Sequence, residues 1–162
     1  MNYMWRVTKY NTLNRDENGY YIKDEWISFS DIGNVFNDLE FTMSEYLKYE
    51  KAYIDSILTL MECNNIHSLN VVGLEIKCDD DHEFINTITE GMLLSKTQIK
   101  EVVKQILREN IWCKLIKGDS FYVHFGYDYY MYIGADNKCD SAIQLIKDNN
   151  MFIEPFVSPY LD

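Results

Sequence analysis

Glycine and proline are scarce in this chain: its 162 residues include 7 Gly and 2 Pro. That excludes collagen-like repeats and Gly- or Pro-rich low-complexity sequence. No stretch approaches the roughly 18 consecutive apolar residues of a membrane helix. The first ten residues, Met1 to Tyr10, hold no basic start followed by an apolar run. No secretory leader is therefore expected, and the chain reads as cytoplasmic. Positive charge is also in short supply, with 15 Lys and Arg against 26 Asp and Glu, a net charge of -11. Phosphate backbones are held by clustered Lys and Arg, so a nucleic-acid partner is not expected.

Reaction signatures are missing as well. Gly-rich phosphate loops, H-E-x-x-H, G-x-S-x-G and paired catalytic carboxylates at a familiar spacing do not occur. Cys63, Cys78, Cys113 and Cys139 form no C-x-x-C pair, and His67, His82 and His124 keep no zinc spacing with them. We expect four reduced thiols, no metal and no cofactor. The acidic run Asp79-Asp80-Asp81-His82-Glu83 places Phe84 where a calcium loop needs its central Gly, and reads as a solvated loop.

What is present describes one α+β domain over residues 1–162. Apolar residues make up 47% and charged residues 25% of the chain, enough to close a single core. Thr42 and Glu45 form a capping-box pattern ahead of an apolar stripe at Met43, Tyr46, Leu47, Ile54, Ile57, Leu58 and Met61, with Asn64-Asn65 as the stop. Ser95 and Gln98 open a second helix that buries Ile99, Val102, Val103, Ile106 and Leu107 and ends at Asn110. A third carries Ala142, Ile143 and Ile146, capped by Asp136 or Asp140 and closed by Asn149-Asn150. Strands are predicted over 3–10, 26–32, 69–77, 111–117, 120–126, 129–134 and 151–157, the last at an edge because of Pro155. Residues 11–25 read as a polar loop turning at Asn18-Gly19. Successive hairpins give a mainly antiparallel sheet with about three helices packed on it, a single pair of layers. The segment 96–117 carries a surplus of four positive charges in an otherwise acidic chain. Its Lys96, Lys100, Lys104 and Arg108 step along one outer helix face.

Two constellations bear on function. If Gly118-Asp119 is a two-residue hairpin loop, Lys117 faces Ser120 and Cys113 faces His124 across the strands. Leu115 and Tyr122 would flank that pair. Trp112, Ile116, Phe121, Val123 and Phe125 would then face the core. A thiol beside an imidazole is the start of a nucleophile and base pair, and Cys113, Tyr122 and His124 would line a pocket. The second is the segment Phe121 to Ile133, with seven aromatic rings in thirteen residues. Alternation along two strands cannot bury all of them. Tyr127, Tyr129 and Tyr130, with Asp128 among them, lie nearest the turn and are expected to reach the surface as partner-binding anchors.

The segments Trp5 to Tyr10, Asp24-Glu25-Trp26, Trp112 to Leu115, Tyr122 to Tyr130 and Ser158-Pro159-Tyr160 resemble small bacterial proteins similar to the immunity proteins of polymorphic-toxin systems. The resemblance implies a protein that neutralises a toxin. Joined to the acidic charge, it gives a non-enzymatic binding protein that steers and docks a basic protein partner. The alternative is a small-molecule-binding or enzymatic domain with its pocket around Tyr122 and His124.

Overall fold

Seven antiparallel strands carry the molecule, and the structure, a computed structural model, describes residues 1–161. In chain order the elements are β1 (Tyr3–Thr8), β2 (Val35–Phe36), β3 (Leu39–Glu40), α1 (Met43–Cys63), β4 (Ser68–Ile76), β5 (Leu93–Ser95), α2 (Lys96–Leu107), β6 (Ile111–Lys117), β7 (Phe121–Phe125), β8 (Met131–Ala135), α3 (Asp140–Asp148) and β9 (Phe152–Pro155). The sheet order is β5-β4-β6-β7-β8-β1-β9, with β2 and β3 a separate hairpin. Three helices on a mainly antiparallel sheet make this the α+β layer fold that the periodicities predict. β1 is inserted between β8 and β9, and β9 with Pro155 forms an edge.

The helices form where local chemistry starts them. Thr42 accepts the Glu45 N–H at the head of α1, while Ser95 and Gln98 bond each other's backbone at the head of α2. All five residues predicted for the buried face of α2 are buried. α1 differs. Met43 and Leu47 stay exposed, while Tyr53, Leu60 and the charged Glu50 turn inward. Glu50 is tolerated there because Arg108 grips it with two hydrogen bonds of 2.9 and 3.0 Å, a bidentate geometry that offsets desolvation. That contact also turns Arg108 off the predicted outer basic stripe.

Other boundaries shift for equally local reasons. α2 ends through Glu109, which takes the left-handed conformation (φ 66°), rather than through Asn110. α3 has Cys139 at its cap position with no side-chain bond, and Asp140 lies in its first turn. Residues 26–32 are not a strand: Ser28 and Asp31 cap each other around a short 3-10 turn at Phe29–Asp31. The β2–β3 hairpin turns through Asn37 and Asp38, both with positive φ.

The β6–β7 register corrects the hairpin expectation. Lys117 pairs with Phe121, Ile116 with Tyr122 and Leu115 with Val123. The loop therefore has three residues, Gly118 to Ser120, and a one-residue change sends alternate side chains to opposite faces. Cys113 and Leu115 are buried with Phe121, Val123 and Phe125 in the core beneath the helices, whereas Trp112 and Ile116 are only partly buried. A bulge in β4 sets Gly73 and Leu74 against Cys113 alone, between the pairs Val72–Lys114 and Glu75–Trp112. Gly73 has φ +70°, which a side chain would resist. The two N–H groups the bulge leaves over are taken by the Glu90 carboxylate at 2.9 and 2.8 Å.

The second sheet face is covered by the segment after β9. Tyr160 O accepts from Lys114 Nζ at 2.6 Å, and Ser158 Oγ lies 2.8 Å from His124 Nδ1. Arg6 sits between the Tyr130 and Phe156 rings and pairs with Glu154. Tyr122 lies flat over Gly134, where an added Cβ would come within 2.2 Å of its ring.

The cysteines depart from expectation. Cys63, at the end of α1, and Cys139, at the start of α3, are joined as a disulfide spanning a separation of 76 residues, while Cys78 and Cys113 are free thiols. Spacing along the chain could not show this pairing, because the α1–α3 packing creates it. A loop of that length restricts the unfolded chain. Full reduction, or Cys139→Ser, is expected to lower unfolding stability by about 2–4 kcal/mol while the circular dichroism of the folded state persists. Equal denaturation midpoints with and without reductant would count against a bonded pair.

Candidate binding site at the β7–β8 turn

The β7–β8 connection is a tight turn at Tyr127–Tyr130. Asp128 (φ 57°) and Tyr129 (φ 66°) both adopt the left-handed conformation. Tyr130 N–H donates to Tyr127 O, and Gly126 N–H to Tyr130 O. Left-handed backbone is unfavourable for a bulky residue such as tyrosine, and buried bonds hold Tyr129 there. Its hydroxyl donates to Leu107 O at 2.7 Å, and its carbonyl accepts from the Tyr53 hydroxyl at 2.7 Å. Its ring packs edge-on to Trp26.

The four predicted surface anchors consequently separate. Tyr127 is 83% exposed, and Asp128 is exposed beside it. Tyr130 is half-buried and accepts from Arg15 Nη1 through its hydroxyl at 2.9 Å. Tyr129 is a core residue, so it is unavailable as a surface anchor. Tyr10 donates to Asp128 O at 2.6 Å, and together with Arg15 it ties the loop after β1 to this turn. That loop displays Leu13, Tyr20 and Ile22 at 86%, 71% and 62% exposure.

A cavity of about 520 Å³ opens beside the turn. It exists because two strands part. The β6–β7 ladder stops at Leu115–Val123, yet β6 stays paired with β4 down to Ile111 and β7 with β8 up to Phe125. Trp112 crosses the opening and donates its indole N–H to Phe125 O at 2.9 Å. Ile106, Leu107, Ile111 and Met131 form an apolar floor, Trp112, Tyr127 and Tyr160 supply rings, and Glu75, Glu109 and Asp128 bring three carboxylates against the single ammonium of Lys77. Tyr127 and Asp128 were legible from sequence. Glu75, Glu109, Trp112 and Tyr160 were not. Gly73 inside a strand signals the bulge that turns Glu75 toward Trp112. Nothing local announces Tyr160.

The other constellation does not assemble. Cys113 lies in the core, and Tyr122 and His124 lie on the opposite sheet face, stacked with ring centroids 4.3 Å apart. Burial pushes the Cys113 thiol up to about 12, which withholds the thiolate that nucleophilic chemistry requires. The Ser158 hydroxyl beside His124 also accepts the Tyr160 N–H at 3.2 Å, and both His124 and Ser158 are buried. This pair fastens the C-terminal segment to the sheet. No protein-family model matches the chain, and neither does any curated protein or solved structure.

One buried cation emerges that the sequence did not single out. The Lys9 side chain is 1% exposed. Its Nζ donates to Glu25 Oε1 at 2.6 Å and lies 4.2 and 4.1 Å from the Tyr10 and Trp26 ring centroids. Desolvation by burial outweighs the Glu25 contact and brings its pKa from 10.5 to about 8. Between those values the unfolded chain holds a proton that the folded chain has released. Stability from this residue is therefore least below pH 8 and grows as pH rises toward 10.5.

Two predictions follow from these placements. The stability difference between wild type and Lys9→Met should move in favour of wild type by about 3 kcal/mol from pH 7.5 to 10.5. Urea titrations at both pH values measure it, and a pH-independent difference would contradict the buried charge. Tyr127→Ala should leave the melting temperature nearly unchanged, whereas Tyr129→Ala should cost about 3–5 kcal/mol. Similar melting curves for the two variants would refute the division of these rings between surface and core.

Proposed function

We propose that this chain is a non-enzymatic, acidic binding protein that neutralises a basic protein toxin by covering its working surface. The observation carrying this reading is the β7–β8 turn. An exposed Tyr127 and an exposed Asp128 stand on a rigid scaffold at the mouth of an aromatic, carboxylate-bearing cavity. Rigid aromatic anchors supply contact area at low entropy cost. The net charge of -11 supplies long-range attraction. Leu13, Tyr20 and Ile22 add exposed apolar surface on the loop that Tyr10 and Arg15 tie to this turn. No helix among the described residues is long and apolar enough to cross a membrane.

The mechanism is steered encounter followed by occlusion. Charge raises the association rate, and desolvated anchors set the residence time. Any toxin-like protein encoded beside this gene is the partner to test. Stopped-flow mixing with that protein should show association slowing by about tenfold or more between 0.01 and 0.1 M salt, as the screening length falls from roughly 30 to 10 Å. Dissociation should change far less. Tyr127→Ala should weaken binding by about 2 kcal/mol through faster dissociation. Association indifferent to salt, or binding indifferent to Tyr127, would refute this reading.

A further inference from the structure

The opening between β6 and β7 has the chemistry of a receptor for one kind of side chain. It is walled by the flat rings of Trp112, Tyr127 and Tyr160, floored by buried aliphatic groups and rimmed by Glu75, Glu109 and Asp128. The carboxylates are not spent internally. Among the described residues, Glu75 and Asp128 have no ion-pair or hydrogen-bond partner for their carboxylates, and Glu109 accepts only the Ser28 hydroxyl, at 3.1 and 3.2 Å. Lys77, the one cation in the lining, leaves the opening net acidic. The Trp112 indole N–H is already committed to Phe125 O, so the wall presents its ring faces. A cation with a flat, weakly hydrated head suits such a space. Guanidinium stacks on aromatic faces and directs five N–H donors in its plane toward several acceptors. An ammonium is compact and strongly hydrated, and it makes poorer use of ring walls with carboxylates spread around them.

We propose that this opening receives an arginine side chain of a basic protein partner, its guanidinium packed on the Trp112 and Tyr160 rings and its charge met by Glu75, Glu109 and Asp128. The inference rests on the binding reading above and names the group that the partner inserts. It gives the acidic surplus a definite focus: diffuse charge draws the partner in, and one desolvated arginine fixes its register.

The probe is N-acetyl-arginine amide titrated into the full chain, with the Trp112 indole N–H and the Gly126 and Tyr127 amides followed by NMR. Saturable shifts at these three groups are expected with a Kd on the order of millimolar, the strength attainable by a ligand of this size. N-acetyl-citrulline amide, of nearly the same shape without the charge, should bind at least about tenfold more weakly, and N-acetyl-lysine amide should also bind more weakly. The double variant Glu75→Gln, Asp128→Asn should weaken arginine binding severalfold with an unchanged melting temperature, because both side chains are exposed and Asn accepts the left-handed backbone at 128. Absence of saturable shifts, equal binding of citrulline amide or lysine amide, or an undiminished double variant would each overturn the proposal. The two readings fail separately. A basic partner that binds the double variant as tightly as wild type defeats the arginine site and leaves the binding function standing. Specific arginine-amide binding beside salt-independent partner association defeats the steering function and leaves the site.

Discussion

A buried relay of hydroxyls holds this molecule in its shape. Lys9 N–H donates to the Tyr53 hydroxyl at 2.9 Å, Tyr53 donates to Tyr129 O, and Tyr129 donates to Leu107 O. Three bonds link the residue after β1, the middle of α1, the β7–β8 turn and the end of α2. Each backbone group in that relay lies where no ladder or helix bond can serve it, and a buried unpaired amide or carbonyl costs on the order of 1–3 kcal/mol. The rings bring Trp26, Tyr46 and Tyr129 into edge-on contact around the relay. The left-handed conformation of Tyr129 is stable only because this arrangement compensates it. Everything exposed at the turn, Tyr127 and Asp128 included, takes its position from the buried residue beside it.

The surface chemistry is a consequence of that internal demand. One tyrosine of the turn is drawn inward, so its neighbours are pushed outward. Two strands part next to the turn, so Trp112 reaches across and satisfies the carbonyl that the ladder leaves unserved. Aromatic walls therefore arise from the same hydrogen-bond accounting that governs the core. The carboxylates around them are exposed in the free protein, which leaves them available to a cation.

Legibility from sequence followed the range of the interactions involved. Capping pairs such as Ser95 with Gln98 and the apolar period of α2 are local, and the structure agrees with both. The strands between Ile111 and Ala135 were also readable as a meander. The face that each strand presents was not, because a single residue in the Gly118–Ser120 loop decides the register for every side chain beyond it. Glu50 broke the α1 stripe because its compensation by Arg108 comes from another helix. The Cys63–Cys139 bond and the contacts of Tyr160 depend on packing between segments far apart in the chain. Composition pointed to a surplus of aromatic surface, yet the assignment of Tyr127 to solvent and Tyr129 to the core rests on backbone angles that residue type does not announce.

The placement of β1 between β8 and β9 also shapes how the molecule comes together. Its first strand pairs with residues 131–135 on one side and 152–155 on the other. Both ladders close over most of the chain length, the non-local kind of pairing that slows folding. Without β1, β8 would be an open edge in the middle of the sheet, although every one of its residues is buried in the folded chain. Such an edge is a template for pairing between molecules. In the folded sheet β1 therefore covers an edge of β8 that would otherwise be open to pairing with another chain.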